Sequence, residues 1–454
     1  MRALVGPRRF SGTLRIPASK SHTIRRLVIA ALSGGTSEIE CPLDSLDTRS
    51  CAAVCRGMGA AIEEYDAPAE GGREGPLRWR VRGNGGRPGG PAAGTVLDVG
   101  NSGTTLYLAM AAAALGSVPF EFTGDAQIQR RSAAPLLEAL AGLGVRAVSK
   151  RGDGCAPLVV QGPWRGGRIS LPCPTSQYLS ALLIAAPLAP AGTVTEIDVP
   201  LLNERPYVRM TLSYLEAQGV PCRTNDGLSW FRLPGGASYG PVNGPVPGDF
   251  SSAAFPAAAA ALSGGRVTLL GLDMADTQGD KAFFDFIARM GCEVERGAAG
   301  ALTVSRGGPL RGGTFDLNAT PDLLPVMAVM GARAEGDTAL VNAAHARIKE
   351  TDRIAVMAAE LAKLGVRTTE RPDGLVIHGG QKKPETPAGR GPPVFLRGRG
   401  DHRVVMALAC LAAAAGPLEI DTAESAAVTY PGFLELLGAD YRRDDGGTTA
   451  EPPP

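Results

Sequence analysis

The densest set of chemically capable side chains lies in the stretch Ala344–Arg353, which carries His345, Lys349, Glu350 and Arg353 within nine residues. Beyond it Ile354, Met357, Leu361 and Leu364 recur at helical spacing, and Gly365 supplies a stop signal. The spacing predicts a helix with Arg353 in its first turn. A cation there opposes the helix macrodipole, at a cost of roughly 0.3–1 kcal/mol unless an anion offsets it. Free backbone N–H groups, a lysine and an arginine together make an anion site, and Glu350 places a carboxylate inside it for proton transfer. A solvated, charged helix start explains one such stretch equally well, so the recurrence of the pattern carries the argument.

It does recur. Six Ala-rich or apolar helices are predicted to begin at Pro17–Arg25 (PASKSHTIR), Gly100–Thr105 (GNSGTT), Pro174–Tyr178 (PTSQY), Gly248–Ala253 (GDFSSA), Thr320–Asp322 (TPD) and Gly400–Arg403 (GDHR). Ser, Thr and Asp are ordinary N-caps. Capping does not explain Lys20, Arg25 and Arg403, which are again cations at the unfavoured end, nor the paired polar residues Asn101-Ser102 and Thr175-Ser176. Helix N-termini of this kind, brought to a shared cleft, would attract substrates carrying phosphate and carboxylate groups. Gly100–Thr105 lacks the GK[ST] of a P-loop, and no GxSxG elbow is present.

The elements behind these starts form a repeat. Predicted helices end at Gly59, Gly144, Gly219, Gly291, Gly365 and Gly438, 72 to 85 residues apart. A second series ends near Gly35, Gly116, Gly192, Gly265, Gly336 and Gly416, each followed by a strand. The strands are Ser37–Glu40, Val118–Phe122, Val194–Ile197, Val267–Leu270, Ala339–Val341 and Leu418–Ile420. Two interleaved series of six define six compact α/β modules. The long first step is assigned to a Gly/Pro-rich surface loop near Gly71–Gly94, and Gly240–Gly248 (GPVNGPVPG) is the mid-chain hinge candidate.

Composition bounds the rest. A chain of 454 residues suffices for two or three domains. A net charge of +1 gives no global pull toward nucleic acid or a membrane surface. The eight cysteines have no CxxC pair, and the histidines lack zinc-ligand spacing, so no metal site is expected. Met1–Arg15 has no signal-peptide core, and the apolar run Val404–Ala415 is too short to span a bilayer. A soluble, cytoplasmic protein with a disordered tail over residues 442–454 is expected.

In chain order, the motifs SKS (Ser19–Ser21), GNSGTT (Gly100–Thr105), TSQ (Thr175–Gln177), GDFSSA (Gly248–Ala253), PDLLPV (Pro321–Val326), IKETDR (Ile348–Arg353) and DHR (Asp401–Arg403) resemble those of one family. It is the 5-enolpyruvylshikimate-3-phosphate synthase (3-phosphoshikimate 1-carboxyvinyltransferase) family of the enolpyruvyl transferase superfamily. The resemblance runs from Ser11 to about Asp440. It implies a two-domain α/β fold of six βαβαββ units, three per domain, that closes on its substrates. One domain would span 19–246, the other 1–18 with 247–441. The implied reaction moves the enolpyruvyl group of phosphoenolpyruvate to the 5-hydroxyl of shikimate 3-phosphate by addition and elimination. It implies no cofactor, no nucleic-acid or membrane partner, and a monomer.

The resemblance also implies roles. Lys20, Asp322 and Glu350 match the catalytic residues. Lys20, Asn101, Gly103, Arg131, Arg353 and Arg403 match contacts to phosphoenolpyruvate. Ser21, Arg25, Thr175, Ser176, Gln177, Tyr207, Asp322, His345 and Lys349 match contacts to shikimate 3-phosphate.

Four positions depart from the family pattern. Glu204 stands where many members carry a serine that touches the substrate phosphate, and a carboxylate there repels phosphate unless Arg205 pairs with it or the side chain turns away. Tyr107 replaces an arginine, Ser132 a proline, and Val428 a lysine found in some members. Glu204 motivates a second reading, an enolpyruvyl transferase with another acceptor alcohol. A third, a silent binding paralogue, has no need of a base, an acid and an anion grip together. The loop Gly124–Arg131 lacks the cysteine typical of UDP-N-acetylglucosamine enolpyruvyl transferase.

Overall fold

The computed structural model describes residues 1–68, 74–90, 95–380 and 392–442. The chain divides into two compact units, Ala18–Pro247 in one and Met1–Pro17 with Gly248–Pro454 in the other. Among the described residues the strands form six four-stranded sheets, three in each unit.

Every sheet has the same pattern. Thr95–Asp98 lies parallel to Phe120–Thr123, which runs antiparallel to Leu158–Gln161, itself antiparallel to Arg146–Ser149. The parallel step needs a crossover, and the helix Gly103–Ala113 supplies it. The residue pattern alone found the helices and the strand after each; the sheets add the flanking strands.

The chain crosses between units at Pro17/Ala18 and Pro247/Gly248, and two sheets show how. Gly12–Arg15 does not pair with the next strand, Thr36–Glu40; it lies parallel to Arg266–Leu270, more than 250 residues later. Thr36–Glu40 instead takes Gly244–Pro245 as its parallel neighbour. The GPVNGPVPG segment thus contributes a short strand as well as a crossing. Arg2–Val5 closes the last sheet, between Leu418–Ile420 and Asp440–Arg442.

The six crossover helices fill the two cores. Phe250–Ser263, Leu324–Ala332 and His402–Ala415 pack together in one unit, and Lys20–Leu32, Gly103–Ala113 and Ser176–Ala185 in the other. Helices apolar on all sides belong in the interior, and alanine lets them approach closely. The second helices are amphipathic. Arg353–Lys363 buries Ile354, Met357 and Leu361, as its spacing predicted.

All six glycines of the first series adopt left-handed φ, from 65° at Gly219 to 102° at Gly291, as residues just past a helix end do. One expectation fails. Within Gly71–Gly94 the segment Glu74–Arg82 is a strand, not a surface loop, and Trp79 on it is fully buried. Residues 71–73 and 91–94 of that stretch lie outside the described residues. The tail does too, except Arg442, which ends a strand.

Candidate active site

In the unit containing Gly248–Pro454, charged side chains converge on the starts of three helices. Arg353 is the first residue of its helix, and Asp352 caps it by accepting from the Ala355 N–H at 3.0 Å. The Arg353 guanidinium is fully buried. It donates to Asp401 through Nε (2.9 Å) and Nη2 (3.3 Å), to Asp322 through Nη1 (2.6 Å) and to Glu350 through Nη2 (2.6 Å). Asp401 is also the N-cap of the helix His402–Ala415, where it accepts from the Arg403 N–H at 3.0 Å. Arg403 reaches the second oxygen of Asp322 at 2.9 Å. Asp322 sits in a 3₁₀ turn, Pro321–Leu323, rather than in the helix proper, which starts at Leu324.

Electrostatics follow from this crowding. Burial disfavours an ionised Asp322, yet Arg403, Arg353 and Lys349 outweigh it and hold the carboxyl below its ordinary range. Burial likewise opposes the charge on Arg353, and Asp401, Glu350 and Asp322 drive its pKa up. Behind them lies Asp280, which accepts from the Ser251 hydroxyl. Burial, then the negative charge of Asp322, pushes the Asp280 carboxyl up to about 7. His345 is buried in the 3₁₀ turn Ala344–Ile348 that leads into Lys349.

In the unit Ala18–Pro247, Lys20 opens the helix Lys20–Leu32 and bonds Asp47 at 2.9 Å. Arg25 is buried one turn on. Its donors meet Thr211 Oγ1 (2.9 Å), Ser180 Oγ (3.2 Å) and the carbonyls of Ser21 (3.2 Å) and Tyr207 (3.4 Å). Among the described residues no carboxylate forms an ion pair with it, and burial lowers its pKa to about 10. Such a cation stays charged at neutral pH and favours an incoming anion.

Asn101, Gly103, Arg131 and Gln177 come together. Asn101 donates to Asp125 (2.5 Å) and Gln127 (2.9 Å) and accepts from Arg131 at 3.4 Å. A Cβ on Gly103 would lie 2.9 Å from Arg131 Nη1 and 3.5 Å from Gln177 Oε1, so the absent side chain makes room for the guanidinium. The departures nearby fit this arrangement. Tyr107 packs edge-on against Tyr178, and both hydroxyls donate to the Ser132 carbonyl, at 3.5 and 2.6 Å.

Glu204 neither turns away nor pairs with Arg205. It is buried, and its Oε2 accepts from Thr175 Oγ1 (3.1 Å), the Ser176 N–H (2.9 Å) and Ser176 Oγ (2.8 Å). The backbone there is left-handed, φ 55° and ψ 41°, which costs a non-glycine residue roughly 1 kcal/mol or more. Those three bonds offset that strain, and they place a carboxylate on the N-terminus of the helix Ser176–Ala185.

The sequence reading missed Asp47, Asp280 and the bridging part of Asp401. Asp401 was visible as an N-cap; Asp47 and Asp280 meet their partners only through the fold. Among the described residues no group of three or more His, Cys, Asp or Glu side chains is placed to hold a metal, and no helix is long and apolar enough to cross a membrane.

Paired arginines at helix starts, with carboxylates on the same guanidinium, can bind an anion and hold a proton-transfer group beside it. Residues 4–437 match the family described as EPSP synthase (3-phosphoshikimate 1-carboxyvinyltransferase). The 3-phosphoshikimate 1-carboxyvinyltransferase of Acetivibrio thermocellus is 46% identical, covering 95% of this chain and 96% of that protein. The one from Methanothrix thermoacetophila is 45% identical, over 95% and 97%. The 2.37 Å structure of EPSP synthase from Acinetobacter baumannii superposes with a TM-score of 0.75 at 27% identity, covering 96% of this chain and 97% of that one. The chain belongs to the EPSP synthase family.

Proposed function

We infer that this chain transfers the enolpyruvyl group of phosphoenolpyruvate to the 5-hydroxyl of shikimate 3-phosphate and releases phosphate, a step of aromatic amino acid biosynthesis. Full-length identity to 3-phosphoshikimate 1-carboxyvinyltransferases supports the reaction. The observation that carries the chemistry is Asp322 held by two arginines, one of which also holds Glu350.

Asp322 takes the proton of the acceptor hydroxyl as its oxygen attacks C2 of phosphoenolpyruvate. Glu350 delivers a proton to the methylene carbon, giving a tetrahedral ketal phosphate. In elimination Glu350 takes a proton back from the methyl group, the C–O bond to phosphate breaks, and phosphate leaves with the proton that Asp322 took from the hydroxyl. An anion that draws Arg353 and Arg403 toward itself relieves Asp322 of the charges that depress its basicity, so binding and base activation are linked. Arg131, Asn101, Gly103 and Lys20 complete the grip on phosphoenolpyruvate. Ser21, Arg25, Thr175, Ser176, Gln177, Tyr207, His345 and Lys349 hold the acceptor. The protein works as a cytoplasmic monomer.

Proton NMR of the product tests this reading. Enolpyruvyl vinyl signals should appear with shikimate 3-phosphate, and reaction in D2O should place deuterium in that vinyl group. Glu350→Gln should remove the deuterium together with turnover; undiminished turnover would sink the role given to Glu350.

A different reading, transfer to a non-phosphorylated acceptor, draws on one observation, the carboxylate of Glu204 on Thr175 and Ser176. Shikimate turned over faster than shikimate 3-phosphate would favour it.

A further inference from the structure

At the C-terminal end of the core helix that Asp401 caps and that carries Arg403, the same unit holds an open surface cavity of about 490 Å³. Its charged lining is Arg8, Arg9 and Arg306, all exposed, and the half-buried Arg333. The fold gathers them from three places. Arg8 and Arg9 lie on the link between Arg2–Val5 and Gly12–Arg15. That link is pinned by the Arg8 N–H to the Ala413 carbonyl (3.0 Å) and by the Phe10 N–H to Ser263 Oγ (2.9 Å). Arg306 ends the strand Leu302–Arg306, and Arg333 caps the helix Leu324–Ala332.

Arginines near helix C-termini have an ordinary explanation, since cations there complement the macrodipole. Magnitudes decide against it as the whole account. The helices ending at Ser263, Ala332 and Ala415 each contribute at most about half a negative charge. Four full positive charges exceed that total more than twofold. Among the described residues none of the four arginines forms an ion pair with a carboxylate. Arg333 is held below its ordinary pKa, first by burial and then by the positive charge of Arg306. Two cations thus repel each other, and no carboxylate of the described residues pairs with either.

We propose that this cavity is a second anion-binding site, separate from the candidate active site, for a small oxyanion with three or more negative charges. Guanidinium groups grip phosphate and carboxylate oxygens alike with paired N–H donors. The volume lies in the range of small-molecule sites and exceeds what a single phosphate fills. The 14-residue helices Phe250–Ser263 and His402–Ala415 put their two ends about 20 Å apart, so the two sites do not share a ligand.

The test is thermal melting of the full chain in moderate salt, titrated with tripolyphosphate and in a parallel arm with citrate, which tells phosphate from carboxylate chemistry. The wild type should show a saturable rise in Tm with at least one of them. Arg306→Gln/Arg333→Gln should bind that anion about 10-fold or more weakly. Arg403→Gln, altered in the candidate active site, should keep the wild-type response. Without added anion the double variant should melt at or above the wild-type temperature, because a repelling pair has been removed, and should turn over substrate normally. No saturable rise, or an undiminished one in the double variant, would overturn the proposal. So would a double variant that melts lower without ligand, which would make these arginines helix caps only.

Discussion

Arg353 and Asp401 meet side-on, Nε to Oδ2 at 2.9 Å and Nη2 to Oδ1 at 3.3 Å, and both side chains are buried. Each opens a different helix of the same unit, so one ion pair fixes the relative position of two helix starts. Asp401→Asn keeps a good N-cap but removes the charge; Asp401→Ala removes both. Breaking a buried pair costs about 3–5 kcal/mol, at the lower end here because Asp322 and Glu350 still face Arg353. The alanine variant should lose about 1 kcal/mol more than the asparagine variant. Urea unfolding of both measures the split; equal losses would mean that the cap contributes nothing.

Asp322→Asn should lower kcat by about 100-fold or more, the contribution expected of a positioned base. Its effect on the KM of phosphoenolpyruvate should be small, because Arg353 and Arg403 remain. A variant with normal kcat and a raised KM would make Asp322 a binding residue only.

Glu204 presents its carboxylate to the hydroxyls of Thr175 and Ser176. Glu204→Gln keeps the size of the side chain and removes the charge. The KM for shikimate 3-phosphate should fall several-fold, since even a screened like charge a few ångströms away opposes a phosphate by about 1 kcal/mol or more. The KM for phosphoenolpyruvate should hold. A raised acceptor KM would show that Glu204 helps to bind the acceptor.

Asp322 and Asp280 give opposite pH dependence. Asp322 titrates below its unfolded value, so its stabilisation is present above about pH 4 and is lost as pH falls further. Asp280 titrates above its unfolded value, at about 7, so stability declines as pH rises from about 4 through 7. Asp280→Asn removes the second slope, roughly 1 kcal/mol per pH unit within that window. Denaturant midpoints at pH 5 and pH 8 read it directly: the wild type should lose stability on going to pH 8 and the variant should lose less. Identical pH responses would place the Asp280 proton elsewhere.

What the sequence revealed was local. Gly59, Gly144, Gly219, Gly291, Gly365 and Gly438 could be read as helix ends because a left-handed residue just past a helix favours glycine whatever the surrounding fold. Arg353 and Arg403 stood out because cations at helix starts are unfavourable without anions. The exchange of Gly12–Arg15 and Gly244–Pro245 between sheets was hidden, since no periodicity marks which distant strand a segment pairs with. Glu74–Arg82 was masked by flanking glycines and a proline, although Trp79 on it anchors a core. Glu204 could be seen as a departure, but its bonds to Thr175 and Ser176 cross about 28 residues of chain and exist only in the fold.

The most direct test of the assigned reaction is the rate of phosphate release from phosphoenolpyruvate by the purified protein, with shikimate 3-phosphate, with shikimate and with no acceptor. Release that depends on shikimate 3-phosphate, with shikimate far slower, is the predicted result. Release that is fastest with shikimate, or absent with shikimate 3-phosphate while phosphoenolpyruvate binds, would contradict it and point to an acceptor selected by Glu204.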